Sequence, residues 1–218
     1  QSVYLIISGL MITIYMRIDQ VMIGSILTDR TELGFYSVAV KIAEMWYFVP
    51  LALIAAFQPE IMKHRQENIY KYDEKLKILF TLVFYISIGF AFFITIFARP
   101  IILILYGSEF ALSANMLSVS VWAGTFALLG SARSIYLISE GLIHFTLIFT
   151  SFGALINIGL NMVLIPSFGG LGAAFATLVS QMMVAIFMPL CFKQTRPITY
   201  KIIQSVNLKA ILNYESET

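Results

Sequence analysis

Residues 78–98 run without one charged side chain. A bilayer's hydrocarbon core is about 30 Å thick and takes about 20 apolar helical residues to cross. In lipid every backbone polar group must find its partner within the spanning structure, which leaves helices or closed barrels. Barrel strands alternate polar and apolar residues, and this run does not. Five more stretches of similar length and character lie near 2–27, 35–57, 113–138, 145–165 and 171–192. The expected fold class is therefore an all-α membrane protein. Residues 1–192 form a six-helix transmembrane lobe, and residues 193–218 follow as a basic tail.

Composition closes off the alternatives. The chain is 59% apolar and only 12% charged, with a mean hydropathy of +0.86. Soluble domains run about 45–50% apolar and about 25% charged, so a soluble enzyme domain is excluded. Eighteen Phe and 11 Tyr exclude a disordered chain. A single cysteine, Cys191, excludes a disulfide framework and a cysteine metal cluster. His64 and His144 lie far apart, and neither a metal nor a cofactor is expected. No HExxH, GxSxG or GxxxxGK[ST] pattern occurs, so neither hydrolytic nor ATP-driven chemistry is expected. The chain opens at Gln1 on an apolar stretch with no basic n-region and no cleavage site. It is expected to be a piece of a longer chain that lacks an N-terminal part.

The charges outside the spans set the orientation. Lys63, Arg65, Lys71, Lys75 and Lys77 lie in 58–77, and Lys193, Arg196, Lys201 and Lys209 in 193–218. With six spans both segments fall on one side, while the other side holds Arg30 and Arg99. The positive-inside rule then puts loop 58–77 and the C-terminus in the cytoplasm. Topology and lipid headgroups explain the basic loop, so no nucleic-acid partner is expected.

The charges inside the spans are more telling. Each centrally placed charge costs about 2.5–3.5 kcal/mol on insertion scales, so Arg17, Asp19, Lys41 and Glu44 must face protein or water. Lys41 and Glu44 share a helical face at i,i+3 and are able to pair. Arg17 and Asp19 lie about 200° apart on a helix and must look elsewhere. One reading is a set of ion pairs locking helices together. The other is a cavity in which Arg17, Lys41 and Arg133 outnumber Asp19 and Glu44 and suit an anionic substrate, since a guanidinium grips phosphate in two-pronged fashion. Arg133 reads equally as a helix-end residue snorkelling to the interface.

Proline and small residues mark the remaining features. Pro50 removes a backbone hydrogen bond and should kink span 35–57, as a packing bend or as a hinge. Arg99-Pro100 should end the third span, with 101–112 an apolar segment turning at Gly107. Gly153, Asn157 and Asn161 recur at i, i+4, i+8, as do Gly169, Ala173 and Thr177, a spacing that lets helices approach closely. Asn157 and Asn161 are also able to hydrogen-bond a polar substrate. Tyr4, Tyr15, Trp46, Tyr47 and Trp122 read as interfacial or cavity aromatics. Ile202, Ile203, Val206, Leu208, Ile211 and Leu212 give the tail an amphipathic character.

Taken in order, these residues resemble a known family. Arg17-Ile-Asp19-Gln-Val-Met-Ile-Gly24 precedes Gly34-Phe-Tyr-Ser-Val-Ala-Val-Lys41-Ile-Ala-Glu44, then Pro50 and Pro59. Tyr106-Gly-Ser-Glu-Phe110 follows, and Asn157-Ile-Gly-Leu-Asn161 leads to Ile165-Pro-Ser-Phe-Gly-Gly-Leu-Gly-Ala-Ala174. The set resembles, over 1–192, the C-terminal half of Wzx-type O-antigen flippases. These are polysaccharide biosynthesis proteins of the multidrug/oligosaccharidyl-lipid/polysaccharide superfamily. The resemblance implies a MATE-like transporter of two six-helix lobes around a cavity that opens alternately to each side. It implies a lipopolysaccharide-related task in the bacterial inner membrane: moving an undecaprenyl-pyrophosphate-linked oligosaccharide between leaflets. Arg17, Lys41 and Arg133 would line the cationic cavity, Asp19 and Glu44 would couple transport to an ion gradient, and Pro50 would be a hinge. The implied partners are the lipid-linked oligosaccharide, membrane lipids, the missing N-terminal lobe, and polymerase and chain-length proteins.

Three other readings compete. A multidrug cation antiporter of the same superfamily would want a net acidic cavity. A membrane-embedded polysaccharide-assembly enzyme would want a large periplasmic loop, whereas 99–112 is short. A purely structural subunit gives no reason for charges at depth.

Overall fold

The computed structural model describes residues 17–205. Residues 2–16 of the first expected span, with Tyr4 and Tyr15, and residues 206–218 of the tail lie outside the described residues. All regular structure among the described residues is helical. Helix α1 covers 17–26. Then come α2 (Thr31–Glu44), α3 (Phe48–Glu67), α4 (Ile69–Tyr106) and α5 (Ser113–Ser139).

The stretch His144–Cys191 is a hairpin rather than one rod. Gly169 has φ 57° and ψ −139°, which no helix contains. Across it Asn157 Nδ2 donates to Thr177 Oγ1 at 3.3 Å, a pair about 30 Å apart on a straight helix. Gly172 likewise packs on the Leu164 carbonyl so closely that any Cβ would collide with it. We label the two antiparallel arms α6 (144–168) and α7 (170–191). Helix α8 is Arg196–Ser205.

Length and hydropathy make Ile69–Tyr106, Ser113–Ser139 and His144–Cys191 capable of crossing a membrane, and the pair α2–α3, bent by 40°, has together the length and hydropathy of a broken span or a re-entrant loop. Helix α4 is 38 residues long, about 57 Å, nearly twice a hydrocarbon core. Its first turns therefore project beyond the bilayer. Asn68 starts it by accepting from Tyr70 N at 3.0 Å and Lys71 N at 3.2 Å, an N-cap that satisfies otherwise orphaned amides. The expected stop at Arg99-Pro100 is corrected: the helix runs through Pro100 to Tyr106. A lone proline costs one ladder bond, which a membrane helix tolerates. The turn does fall at Gly107, whose φ of 83° suits glycine.

Pro50 acts one turn upstream of itself. It has no N–H for the Trp46 carbonyl, which instead accepts from Val49 N at 3.1 Å. The helix accordingly breaks at 45–47, and Pro50 sits in the first turn of α3, where a missing N–H is harmless.

Two apolar clusters fill the lobe. One gathers Trp46, Ile61, Leu76, Phe80, Leu137 and Phe149 near the 58–77 end. The other gathers Ile23, Tyr36, Ile102, Leu117, Ile165 and Ala173 toward the opposite end. Phe90 packs against both. The tail folds back on the first cluster, with Ile198 and Ile202 buried and Lys201 paired with Asp73 of α4. Ile203 stays exposed. Beside it Arg65 grips Glu140 with two hydrogen bonds, 2.8 and 3.0 Å, and Tyr72 donates to the same carboxylate at 2.9 Å. These contacts tie α3, α4 and the end of α5 together.

Candidate functional site

Asp19 is 4% exposed and receives three side-chain hydrogen bonds. Tyr36 on α2 donates to Oδ2 at 2.8 Å, Thr177 on α7 to Oδ2 at 2.6 Å, and Asn161 on α6 to Oδ1 at 2.6 Å. Asn161 gives its second proton to Asn157 Oδ1 at 3.0 Å. One carboxylate on α1 thus binds three other helices. Among the described residues no Lys, Arg or His pairs with it within 4.0 Å. Hydrogen bonds alone offset the cost of burying this group, which is large for any charge withdrawn from water. The Asn161 Oδ1 is buried with no partner.

The small residues explain how four helices reach this point. A side chain on Gly170 would strike Met116 and Tyr36. Ala173 and Ala174 are fully buried. The Gly170 N–H opens α7 and donates to Glu32 Oε2 at 2.9 Å, so α2 also fixes the hairpin. Of the stripe Gly169, Ala173, Thr177, then, Gly169 makes the reversal, Ala173 serves packing and Thr177 serves the carboxylate.

A small cavity of about 50 Å³ adjoins Asp19, lined also by Tyr36, Glu44, Tyr47, Thr177 and Gln181. That suffices for a few waters at most. A larger cavity of about 290 Å³ lies next to it, lined by Tyr47, Ser131, Arg133, Thr146, Thr150 and Gln181 among others. Arg133 is 4% exposed, so it is an interior residue and does not snorkel. Its Nη1 donates to the Val184 carbonyl at 2.6 Å and the Ala185 carbonyl at 3.3 Å. Both belong to the π-helical turn Met183–Phe187, whose i→i+5 bonding departs from the ordinary ladder. The guanidinium also lies 4.8 Å from the Phe149 ring centroid, while its Nε has no partner.

The expected site residues therefore part company. Asp19, Asn157 and Asn161 come together, and Glu44 lines their cavity without an ion pair to Lys41. Arg133 stands in the neighbouring cavity. Arg17 and Lys41 are exposed on the outside of the lobe. The sequence marks Tyr47 only as an interfacial or cavity aromatic and Thr177 only as a member of a small-residue stripe, and gives no signal for Tyr36 and Gln181, because a lone polar group on an apolar helix reads first as packing. Among the described residues no three His, Cys, Asp or Glu side chains gather as a metal site would require.

Comparison with known proteins agrees with this architecture. A family profile described as polysaccharide biosynthesis protein matches residues 1–115. A solved structure titled as the outward-facing conformation of a multidrug resistance MATE family transporter of the MOP superfamily superposes with a TM-score of 0.72 at 16% identity. It covers 93% of this chain, and the chain spans 49% of the length of that transporter. The likeness establishes the fold. No curated protein matches the chain.

Proposed function

Because the chain belongs to the polysaccharide biosynthesis protein family, we propose that it is one lobe of an inner-membrane flippase. The cargo would be an undecaprenyl-pyrophosphate-linked oligosaccharide of O-antigen type, carried by alternating access between this lobe and a second. The domain reading of 1–192 as the lobe and 193–218 as the tail belongs to the same proposal, as does a cytoplasmic position for 58–77 and the C-terminus.

The observation that carries it is Asp19: buried, hydrogen-bonded by three helices and without a counter-cation among the described residues. Such a group is costly to keep charged and is the natural acceptor of a proton or a small cation. Loading it from one side and emptying it on the other would change which packing of α1, α2, α6 and α7 is favoured. Glu44, on the same cavity, would assist. Arg17 and Lys41, on the surface, are available to a substrate pyrophosphate held against a facing lobe. Arg133 supplies positive charge inside. The break governed by Pro50 would serve as a hinge.

Cation-coupled drug antiport is the second reading. The buried carboxylate suits it as well, and the solved transporter of this fold carries that title. Complementation separates them. In a strain lacking its O-antigen flippase and carrying the cognate sugar cluster, the complete transporter should restore the lipopolysaccharide ladder, and Arg17→Ala should lose it while still inserting. No ladder from an inserted wild type, with drug efflux restored instead, would overturn the flippase reading.

A further inference from the structure

The two cavities share three lining residues, Tyr47, Ala127 and Gln181. Ala127 is small, so Tyr47 and Gln181 are the larger side chains standing where the two spaces meet. Tyr47 is placed to move. It closes the break at 45–47 between α2 and α3, the point where the Pro50 effect on the ladder is felt. Its neighbour Trp46 is the fixed side of that break: Trp46 is 6% exposed, stacks on Phe90 at 4.3 Å and meets the Tyr47 ring edge-on at 5.8 Å.

The Tyr47 ring has a seat of its own. It lies over the bare Cα of Gly124 on α5. A Cβ at that position would come nearest the Tyr47 hydroxyl and stand 2.8 Å from Cε1 and 2.9 Å from Cζ, closer than atoms approach without one moving. Only glycine leaves room for the ring where it now rests.

We propose that Tyr47 is a gate between the Asp19 compartment and the Arg133 cavity. With the ring seated on Gly124, Asp19 is cut off from the larger cavity. With the ring swung about the 45–47 break, the two spaces join and water reaches the carboxylate. The gate rests on the reading of Asp19 as the coupling group only for its purpose; its existence is a matter of access and is testable without any transport.

The test is cysteine labelling in the complete, membrane-inserted transporter, with Cys191→Ser and no other cysteine. Ser120→Cys reports the Asp19 compartment and Ser131→Cys the larger cavity. A small water-soluble thiol reagent should label position 120 slowly and position 131 readily. Tyr47→Ala, and separately Gly124→Ala, should each raise the rate at 120 by about tenfold and leave 131 nearly unchanged. Tyr47→Phe should raise the rate at 120 less than Tyr47→Ala does, because the ring still covers Gly124 after the hydroxyl is lost. An unchanged rate at 120 in either Tyr47→Ala or Gly124→Ala overturns the gate. So does an equal rise at both positions, which would mean general loosening. Ion-coupled transport that survives Asp19→Asn, with the labelling pattern intact, would fault the coupling reading and leave the gate standing.

Discussion

Asn161 Nδ2 lies 2.6 Å from Asp19 Oδ1 across 142 positions of sequence, fully enclosed by protein. Its second proton goes to Asn157 one helical turn away, at 3.0 Å. Both protons of this amide are spent, and its oxygen is left without a donor. The arrangement makes Asp19 the node where α1, α2, α6 and α7 meet.

Replacing Asp19 by Asn should abolish ion-coupled transport yet leave the lobe folded. The new amide still accepts from Tyr36 and Thr177, and its N–H₂ finds the vacant oxygen of Asn161 once that amide flips, at the cost of the Asn161–Asn157 hydrogen bond. Asp19→Ala, by contrast, strands Tyr36 and its neighbours and should cost about 2–4 kcal/mol, at about 1–3 kcal/mol per orphaned buried group. Melting temperatures of the two variants in one detergent, set beside transport, check this. Equal destabilisation would contradict it.

Arg133 should prove partly structural. Arg133→Met removes the donor to the Val184 and Ala185 carbonyls and the contact with Phe149, at about 1–3 kcal/mol. Arg133→Lys keeps the charge but lacks the planar fork, and should recover less than half of that loss. Denaturation of both variants, with hydrogen exchange read at 183–188, reports it; unchanged protection there in Arg133→Met would contradict the role.

The hairpin between α6 and α7 should be sensitive at its tip. Gly169→Ala places a side chain at φ 57° and against the Glu32 carboxyl carbon at 3.0 Å, which should cost about 1–3 kcal/mol. Glu32→Ala removes the acceptor of Gly170 N–H and should cost about 1 kcal/mol. The pair should be less than additive, since removing Glu32 also removes the clash. A double-mutant cycle measures this, and strict additivity would refute it.

One pH effect belongs to the ends of α3 and α4 outside the spans. Lys75 Nζ lies 2.8 Å from Glu60 Oε1, and this hydrogen bond, helped by the charges of Lys75 and His64, holds the Glu60 carboxyl below its ordinary 4.5. A lowered carboxyl stabilises above its unfolded value and loses that contribution as pH falls through the folded one. Protection of amides in 58–77 should therefore weaken as pH drops from about 4.5 downward, and only slightly, because the pair is partly exposed to solvent. Lys75→Met should remove the dependence. Hydrogen exchange at graded pH measures it, and an unaltered profile in Lys75→Met would exclude this pair as the source.

Much of this protein is legible in one dimension because membrane burial is a one-dimensional constraint. Uncharged runs such as 78–98 must become helices, since lipid offers the backbone no partner. Pro50 weakens one helix by simple loss of an N–H, and Gly107 marks a turn because few other residues adopt its φ. Charges at depth, Asp19 among them, had to be accommodated inside protein, and that requirement is visible from their cost alone. What the sequence could not carry is which groups meet. Arg17, Lys41 and Arg133 look alike along the chain, yet two are exposed on the surface of the lobe and one is buried, donating to the carbonyls of a π turn. Tyr36 and Thr177 look like packing residues, yet both hold Asp19. These outcomes depend on the rotation of each helix about its axis and on the reversal at Gly169, which brings Asn157 opposite Thr177. Rotation and reversal follow from side-chain packing summed over many neighbours, and only the tertiary structure contains that sum.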